Sequence, residues 1–166
     1  MTQEAGSCGN EKESMNAAAA ATIDSWIEVW RERLKKIPHD TAHRKHSADR
    51  WSISEVVGHL IDSACNNHQR FVRAQFRDSL VFPKYDQNQW ANAGHYLHAD
   101  WGNLIELWYF YNKQIAIIIR DMDAAKLQTP CTITPYDTCT LQFLVTDYAD
   151  HMIHHLNKID ERLTRD

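Results

Sequence analysis

The sequence is poor in glycine, proline and basic charge. Its five glycines and four prolines are too few for the many turns of an all-β sandwich. Eighteen lysines and arginines stand against 22 aspartates and glutamates, which leaves a net charge of −4. Such a balance excludes a strongly basic surface of the kind that binds phosphate backbones. We therefore expect no direct binding to nucleic acid.

The sequence also lacks the patterns of a zinc knuckle, a secretory signal and a membrane-spanning helix. None of the four cysteines forms a CxxC pair, so neither a zinc knuckle nor a disulfide framework is indicated. The N-terminus carries no cationic stretch followed by an apolar core, which is the mark of a secretory signal. The apolar run at residues 17–21 is far too short to cross a bilayer. We expect a cytoplasmic protein with free thiols and no membrane association.

The residues that are present favour a single helical domain. Hydrophobic residues make up 43% and charged residues 24% of the 166 positions, as in ordinary globular proteins. Residues 1–14 are polar and are predicted to form a flexible N-terminal tail, followed by one domain over residues 15–166. Apolar residues recurring at three- and four-residue steps predict four long amphipathic helices, at about residues 16–37, 52–81, 99–122 and 140–163.

No strand is predicted, so the expected fold class is all-α, a four-helix bundle with long inter-helix loops. Residues 82–98 are predicted to form an aromatic-rich loop or a short helix. Residues 123–139, with Pro130 and Pro135, are predicted to form a crossover loop. The start of the second helix is the clearest local signal, because Ser52 and Glu55 have the spacing of a capping box.

Ten histidines are the unusual feature of the composition. In the last predicted helix, His151 and His155 lie one turn apart on the side that carries Tyr148 and Ile159, whereas His154 lies on the polar face. Two imidazoles at this spacing can bind one metal ion. Two core histidines that hydrogen-bond to each other or to Tyr148 would give the same pattern, so the spacing leaves both interpretations open.

The second predicted helix adds His59 at the margin of its apolar face. Gly58, just before it, costs a helix interior about 0.8–1 kcal/mol relative to alanine, which indicates close approach of a neighbouring helix or a ligand. Asp62 lies one turn after His59. It either orients the imidazole as a hydrogen-bond acceptor or faces solvent.

Three segments together resemble the DinB-like superfamily, the four-helix bundles of the DinB/YfiT type. They are WSISEVVGHLIDS from Trp51, YDQNQW from Tyr85 to Trp90, and HMIHHLNKI from His151 to Ile159. In this order they match the family patterns GHLxD, YDQxxW and HxxHHLxxI. The resemblance extends over about residues 16–163.

The resemblance implies one divalent metal ion, zinc or nickel, bound by His59, His151 and His155. It also suggests that Asp86 and Trp90 line or cap the pocket, although both could instead form a structural corner. Three histidines leave coordination positions open, which suits catalysis better than structural closure. An open position could be taken by water or by a low-molecular-weight thiol cosubstrate.

The leading functional hypothesis is therefore a metal-dependent hydrolase or a low-molecular-weight-thiol S-transferase that acts on a small-molecule substrate. The alternative is a non-catalytic, metal-stabilised helical protein with a role in stress response or protein interaction. The resemblance further suggests a homodimer.

Overall fold

The computed structural model describes residues 7–47 and 49–164 and shows a mostly helical chain with one small sheet. Its elements, in chain order, are α1 (Ser7–Lys35), α2 (His39–His43), α3 (Ile53–Gln75), β1 (Leu80–Pro83), α4 (Gln87–Ala93), α5 (Trp101–Arg120), β2 (Pro130–Thr134), β3 (Thr138–Thr140) and α6 (Leu141–Leu163). Single 3₁₀ turns at Tyr96–His98 and Ala124–Gln128 precede α5 and β2. Across the described ranges, no helix is both long and apolar enough to cross a membrane.

The four long helices α1, α3, α5 and α6 form a bundle in which chain neighbours are not always spatial neighbours. Both α1 and α3 pack against α5 and against α6, so α1 and α3 stand at opposite corners. Ion pairs of Arg31 with Glu106 and of Lys113 with Asp24 show that α1 and α5 run antiparallel. The predicted bundle of four long helices is confirmed. The helices do not follow a simple up-and-down order around the bundle.

The capping box predicted at Ser52 is present at the start of α3. The Ser52 hydroxyl accepts a hydrogen bond from the Glu55 amide, and the Glu55 carboxylate accepts one from the Ser52 amide. Lys45 adds an ion pair to the same carboxylate at 2.9 Å. These contacts fix the residue at which α3 begins. They thereby set the position of His59 about two turns later.

The last two predicted helices agree with α5 and α6 to within a few residues, while the first begins earlier than predicted, at Ser7. Residues 1–6 of the predicted tail lie outside the described residues, and its flexibility stays a prediction. The second predicted helix extends too far, because α3 ends at Gln75 and residues 80–83 form a strand.

A three-stranded sheet makes the fold not strictly all-α, in contrast to the prediction. Strand β1 pairs in parallel with β2, Leu80 lying opposite Cys131, and β2 pairs with β3 in an antiparallel hairpin. The hydrogen-bonding partners of β1 lie about fifty residues further along the chain, where a local pattern cannot reveal them. The sheet matters for function because its ends and the following loops form one wall of a large cavity.

The bundle core is built from the apolar stripes of the four long helices. Trp30 and Trp108 are its largest fully buried side chains. It also contains a buried polar pair. The Tyr148 hydroxyl donates to the side-chain oxygen of Asn112, and the amide nitrogen of Asn112 donates to the Trp108 carbonyl. This pair joins α5 to α6 one turn before His151.

Candidate metal centre

Three histidines from two helices meet at one point in the bundle. His59 comes from the middle of α3, and His151 and His155 come from successive turns of α6. Their nitrogen atoms, one from each ring, all lie within 4.8 Å of one another. The ring centroids are 4.5 to 5.1 Å apart. His59 therefore joins the predicted pair of His151 and His155, although it lies 92 positions before His151 in the chain.

The spacing of the nitrogen atoms fits a shared tetrahedral ion. The Nε2 atoms of His59 and His151 are 3.2 Å apart. Two nitrogen ligands of a tetrahedral zinc ion, each with a bond near 2.0–2.1 Å, are separated by about 3.3 Å. The Nδ1 atoms of the same two rings are buried and have no hydrogen-bond partner among the described residues. The donor set and its spacing thus fit a divalent ion such as zinc or nickel.

Burial keeps the three imidazoles neutral. Desolvation lowers the pKa of His59 to about 4, with a smaller contribution from His151. The pKa of His155 is lowered to about 3, again chiefly by burial and then by the neighbouring histidines. Burial also lowers the pKa of His151, although Asp147 acts in the opposite direction. Metal ligands must be deprotonated, so protons compete weakly for this site near neutral pH.

The three-histidine group opens on a cavity of about 780 Å³, lined by both His59 and His151. This volume lies within the range of small-molecule sites. Within residues 7–47 and 49–164, no fourth histidine, cysteine, aspartate or glutamate completes the group. A bound ion would therefore keep at least one position that faces the cavity, as catalytic sites do.

The two residues predicted to line the pocket occupy different places. Asp86 lies in the cavity wall, where its side chain also accepts hydrogen bonds from the amides of Asn88 and Gln89 and so caps α4. Trp90 is not among the residues of the wall. It packs against Tyr85, with ring centroids 5.0 Å apart, and Tyr85 itself lines the cavity.

Gly58 allows an aromatic ring to lie directly against α3. A Cβ atom built on Gly58 would be 2.1 Å from the ring of Tyr96. The Tyr96 hydroxyl donates to Asp62 at 2.6 Å, so Asp62 is neither solvent-exposed nor bonded to His59, in contrast to both predicted alternatives. Burial raises the pKa of Asp62 while the Tyr96 hydrogen bond opposes that change. This contact fixes the chain before α5 to the turn of α3 that carries His59.

Replacing Gly58 by alanine is therefore expected to destabilise the protein by about 1–3 kcal/mol, the usual range for overpacking, despite the better helix propensity of alanine. Gly102 in α5 provides the control, since a methyl group added there would meet only an Asp100 oxygen at 3.4 Å. Gly102→Ala should be neutral or stabilising by up to about 1 kcal/mol. Urea unfolding of both variants measures the difference, and equal free energies of unfolding would contradict it.

Sequence reasoning missed four charged residues of the cavity wall: Lys84 and Asp137 in loops, and Arg70 and Asp147 on α3 and α6. The helix pattern assigns Asp147 to the polar face of the last helix, and it does not single out Arg70. One signal was available for Arg70, because it lies eleven residues after His59, close to three full helical turns and thus on the same face. Helix periodicity could not show that the face of α3 carrying His59 and Arg70 lines a cavity.

Comparison with known proteins agrees with the fold. A protein of Halalkalibacterium halodurans named "putative metal-dependent hydrolase" is 22% identical over 144 residues, which is 87% of this chain and 82% of that protein. A Bacillus cereus protein of the same name is 23% identical over 79 residues, 41% of this chain and 46% of its own.

The structure of YfiT from Bacillus subtilis superimposes with a TM-score of 0.72 at 17% identity, covering 99% of this chain and 91% of YfiT. It is described as a probable metal-dependent hydrolase with an unusual four-helix bundle topology. The family model of the DinB superfamily matches residues 22–159. This chain therefore belongs to the DinB superfamily.

Proposed function

We propose that this protein is a metal-dependent hydrolase whose divalent ion is held by His59, His151 and His155. The observation that carries the proposal is the convergence of three neutral imidazoles, without a fourth protein ligand among the described residues, at a cavity of about 780 Å³. The names of the relatives in Halalkalibacterium and Bacillus support the same reaction class. When bound, a divalent ion supplies Lewis-acid polarisation and lowers the pKa of water.

The protein's own residues contribute binding and proton transfer. Ile133 and Leu144 are buried apolar side chains in the cavity wall, so they shield a reacting group from bulk water. We assign Asp147 the role of proton acceptor, because its carboxylate lies in the wall one helical turn before His151 and acts on it electrostatically. Of the other two wall carboxylates, Asp86 already caps α4, and Asp137 lies in the loop between β2 and β3.

The test compares ester hydrolysis by metal-free and zinc- or nickel-loaded protein, with 4-nitrophenyl esters of short carboxylic acids as probes. Lewis-acid catalysis contributes several kcal/mol, so the loaded protein is expected to be faster by about a hundredfold or more. His155→Ala should abolish the difference, whereas His154→Ala, a change at an exposed position of the same helix, should preserve it.

Thiol transfer is measured in parallel, with cysteine as the thiol and 1-chloro-2,4-dinitrobenzene as the acceptor. Metal-dependent thiol transfer without ester hydrolysis would replace the hydrolase proposal by the transferase hypothesis. A loaded protein that is inactive in both assays, yet melts at a much higher temperature than the metal-free form, would favour a non-catalytic, metal-stabilised protein. The homodimer and the cytoplasmic location stay predictions.

A further inference from the structure

The cavity contains a cation that the metal proposal does not use. Arg70 lies on α3, on the same face as His59 and about 16 Å further along the helix axis at 1.5 Å per residue. Both residues line the cavity. Because helical side chains tilt toward the N-terminus, the guanidinium group reaches back toward the three histidines and shortens this separation.

The hydrogen-bonding capacity of Arg70 is largely unused. One terminal nitrogen donates to the Asn67 side-chain oxygen at 3.3 Å. Among the described residues, the buried Nε atom has no hydrogen-bond partner, and no carboxylate oxygen lies within 4.0 Å of a guanidinium nitrogen. The nearest other contact is the ring of Phe82, whose centroid is 5.5 Å from the guanidinium carbon.

A half-buried guanidinium group without a counter-ion is costly unless something else compensates it. Burial lowers the pKa of Arg70, and its electrostatic interactions with Tyr85 and Asp147 oppose this change only in part. Arginine nevertheless stays protonated in proteins. Its planar fork of N–H groups matches a carboxylate or another oxyanion, so an anionic ligand would satisfy both the charge and the free donors.

The other charges of the wall indicate which oxyanion fits. Lys84 is an exposed residue of the same wall, and its ammonium group lies 5.2 Å from the centre of the Tyr136 ring. Three aspartates, Asp86, Asp137 and Asp147, line the same cavity and would repel a doubly charged phosphate. A single negative charge opposite a single half-buried guanidinium avoids most of that repulsion.

We propose that Arg70 binds a carboxylate of the substrate, so that the enzyme acts on small molecules carrying a carboxylate at one end and the reacting group at the other. This inference rests on the proposed function for the reacting end only. The carboxylate subsite itself is formed by residues that are not part of the three-histidine group, and it can be tested separately.

The first test uses full-length, metal-free protein and two probes, hexanoate and its neutral analogue hexanamide. We expect the Nε–H resonance of Arg70 to shift on titration with hexanoate and to stay unchanged with hexanamide. Hydrogen bonds to charged groups predict about ten- to hundredfold tighter binding of the anion. Arg70→Gln should remove this preference and Arg70→Lys should restore part of it.

Arg73→Gln is the matched control. Arg73 is an exposed arginine on the next turn of α3, bonded to Gln69, and the substitution makes the same change of charge. Equal affinities for hexanoate and hexanamide in the wild-type protein would overturn the inference. So would a preference for hexanoate that survives in Arg70→Gln or is lost in Arg73→Gln.

The second test uses a ligand that reaches both the metal site and Arg70. Suberic monohydroxamic acid carries a metal-binding hydroxamate and a distant carboxylate, and in its methyl ester a neutral ester group replaces the carboxylate. In zinc-loaded protein we expect the acid to bind about tenfold or more tightly than the ester. Equal binding of both would overturn the carboxylate inference while leaving the metal site in place. If neither hydroxamate binds and elemental analysis finds no zinc, the proposed function fails, and the hexanoate titration still decides the role of Arg70.

Discussion

His151→Ala is expected to lose its metal ion while His154→Ala keeps it. Wild-type protein loaded with zinc or nickel and then dialysed should contain about one ion per chain. Loss of a residue that merely supports a metal ligand weakens binding about 10–100-fold, so loss of a ligand should weaken it by more than about a hundredfold. Elemental analysis of protein purified without a nickel column measures the metal content directly.

The two positions form a well-matched pair. Both are histidines of α6, but only the His151 ring contributes to the three-histidine group, while His154 is exposed. The same truncation therefore removes a proposed ligand in one variant and a surface imidazole in the other. Circular dichroism verifies that both variants remain folded. Full metal content in folded His151→Ala would show that the ligand assignment is wrong.

The metal-free protein is expected to lose stability as the pH falls from about 6.5 to about 4. In the folded state the pKa of His59 is about 4, whereas an unfolded histidine has a pKa near 6.5. Between these values the unfolded chain binds more protons, so acid favours unfolding. At about 1.4 kcal/mol per pKa unit, His59 alone accounts for a loss on the order of 3 kcal/mol.

His155 should contribute in the same direction, because burial lowers its pKa to about 3. Above pH 6.5 both forms of the chain carry neutral imidazoles, and the stability should no longer depend on these groups. His155→Gln is expected to flatten the pH dependence, because glutamine does not titrate. His154→Gln should change it much less, because His154 lowers the pKa of His155 less than burial, His151 and His59 do. Urea unfolding at several pH values gives the slopes. Identical slopes for wild type and His155→Gln would contradict the attribution to buried histidines.

Much of the helical framework could be predicted because its signals are local. The capping box of Ser52 and Glu55 acts over three residues, and both of its hydrogen bonds are present. The predicted fourth helix, residues 140–163, differs from α6 by one residue at its start. Periodicity also separated His151 and His155 from His154, since neighbours on a helix face are three or four residues apart.

Errors arose where distant segments decide the local structure. The helical pattern predicts the end of a helix near residues 80–83, yet they form β1 because β2 offers hydrogen-bonding partners. Asp62 is predicted to face His59 or solvent, and it instead accepts a hydrogen bond from Tyr96, a residue 34 positions later in the chain. Neither partner can be read from the sequence around the residue concerned.

The sequence by itself determined the long amphipathic helices, their caps, the histidine pair of α6 and the resemblance to the DinB superfamily, because all of these depend on short-range spacing or on matched motifs. Tertiary structure alone decided that the Nε2 atom of His59 lies 3.2 Å from that of His151 and that Arg70 lines the same cavity without a counter-ion among the described residues. The physical reason is that burial and the absence of a partner are properties of the packed bundle. They arise only when α3, α6 and the small sheet pack around the cavity.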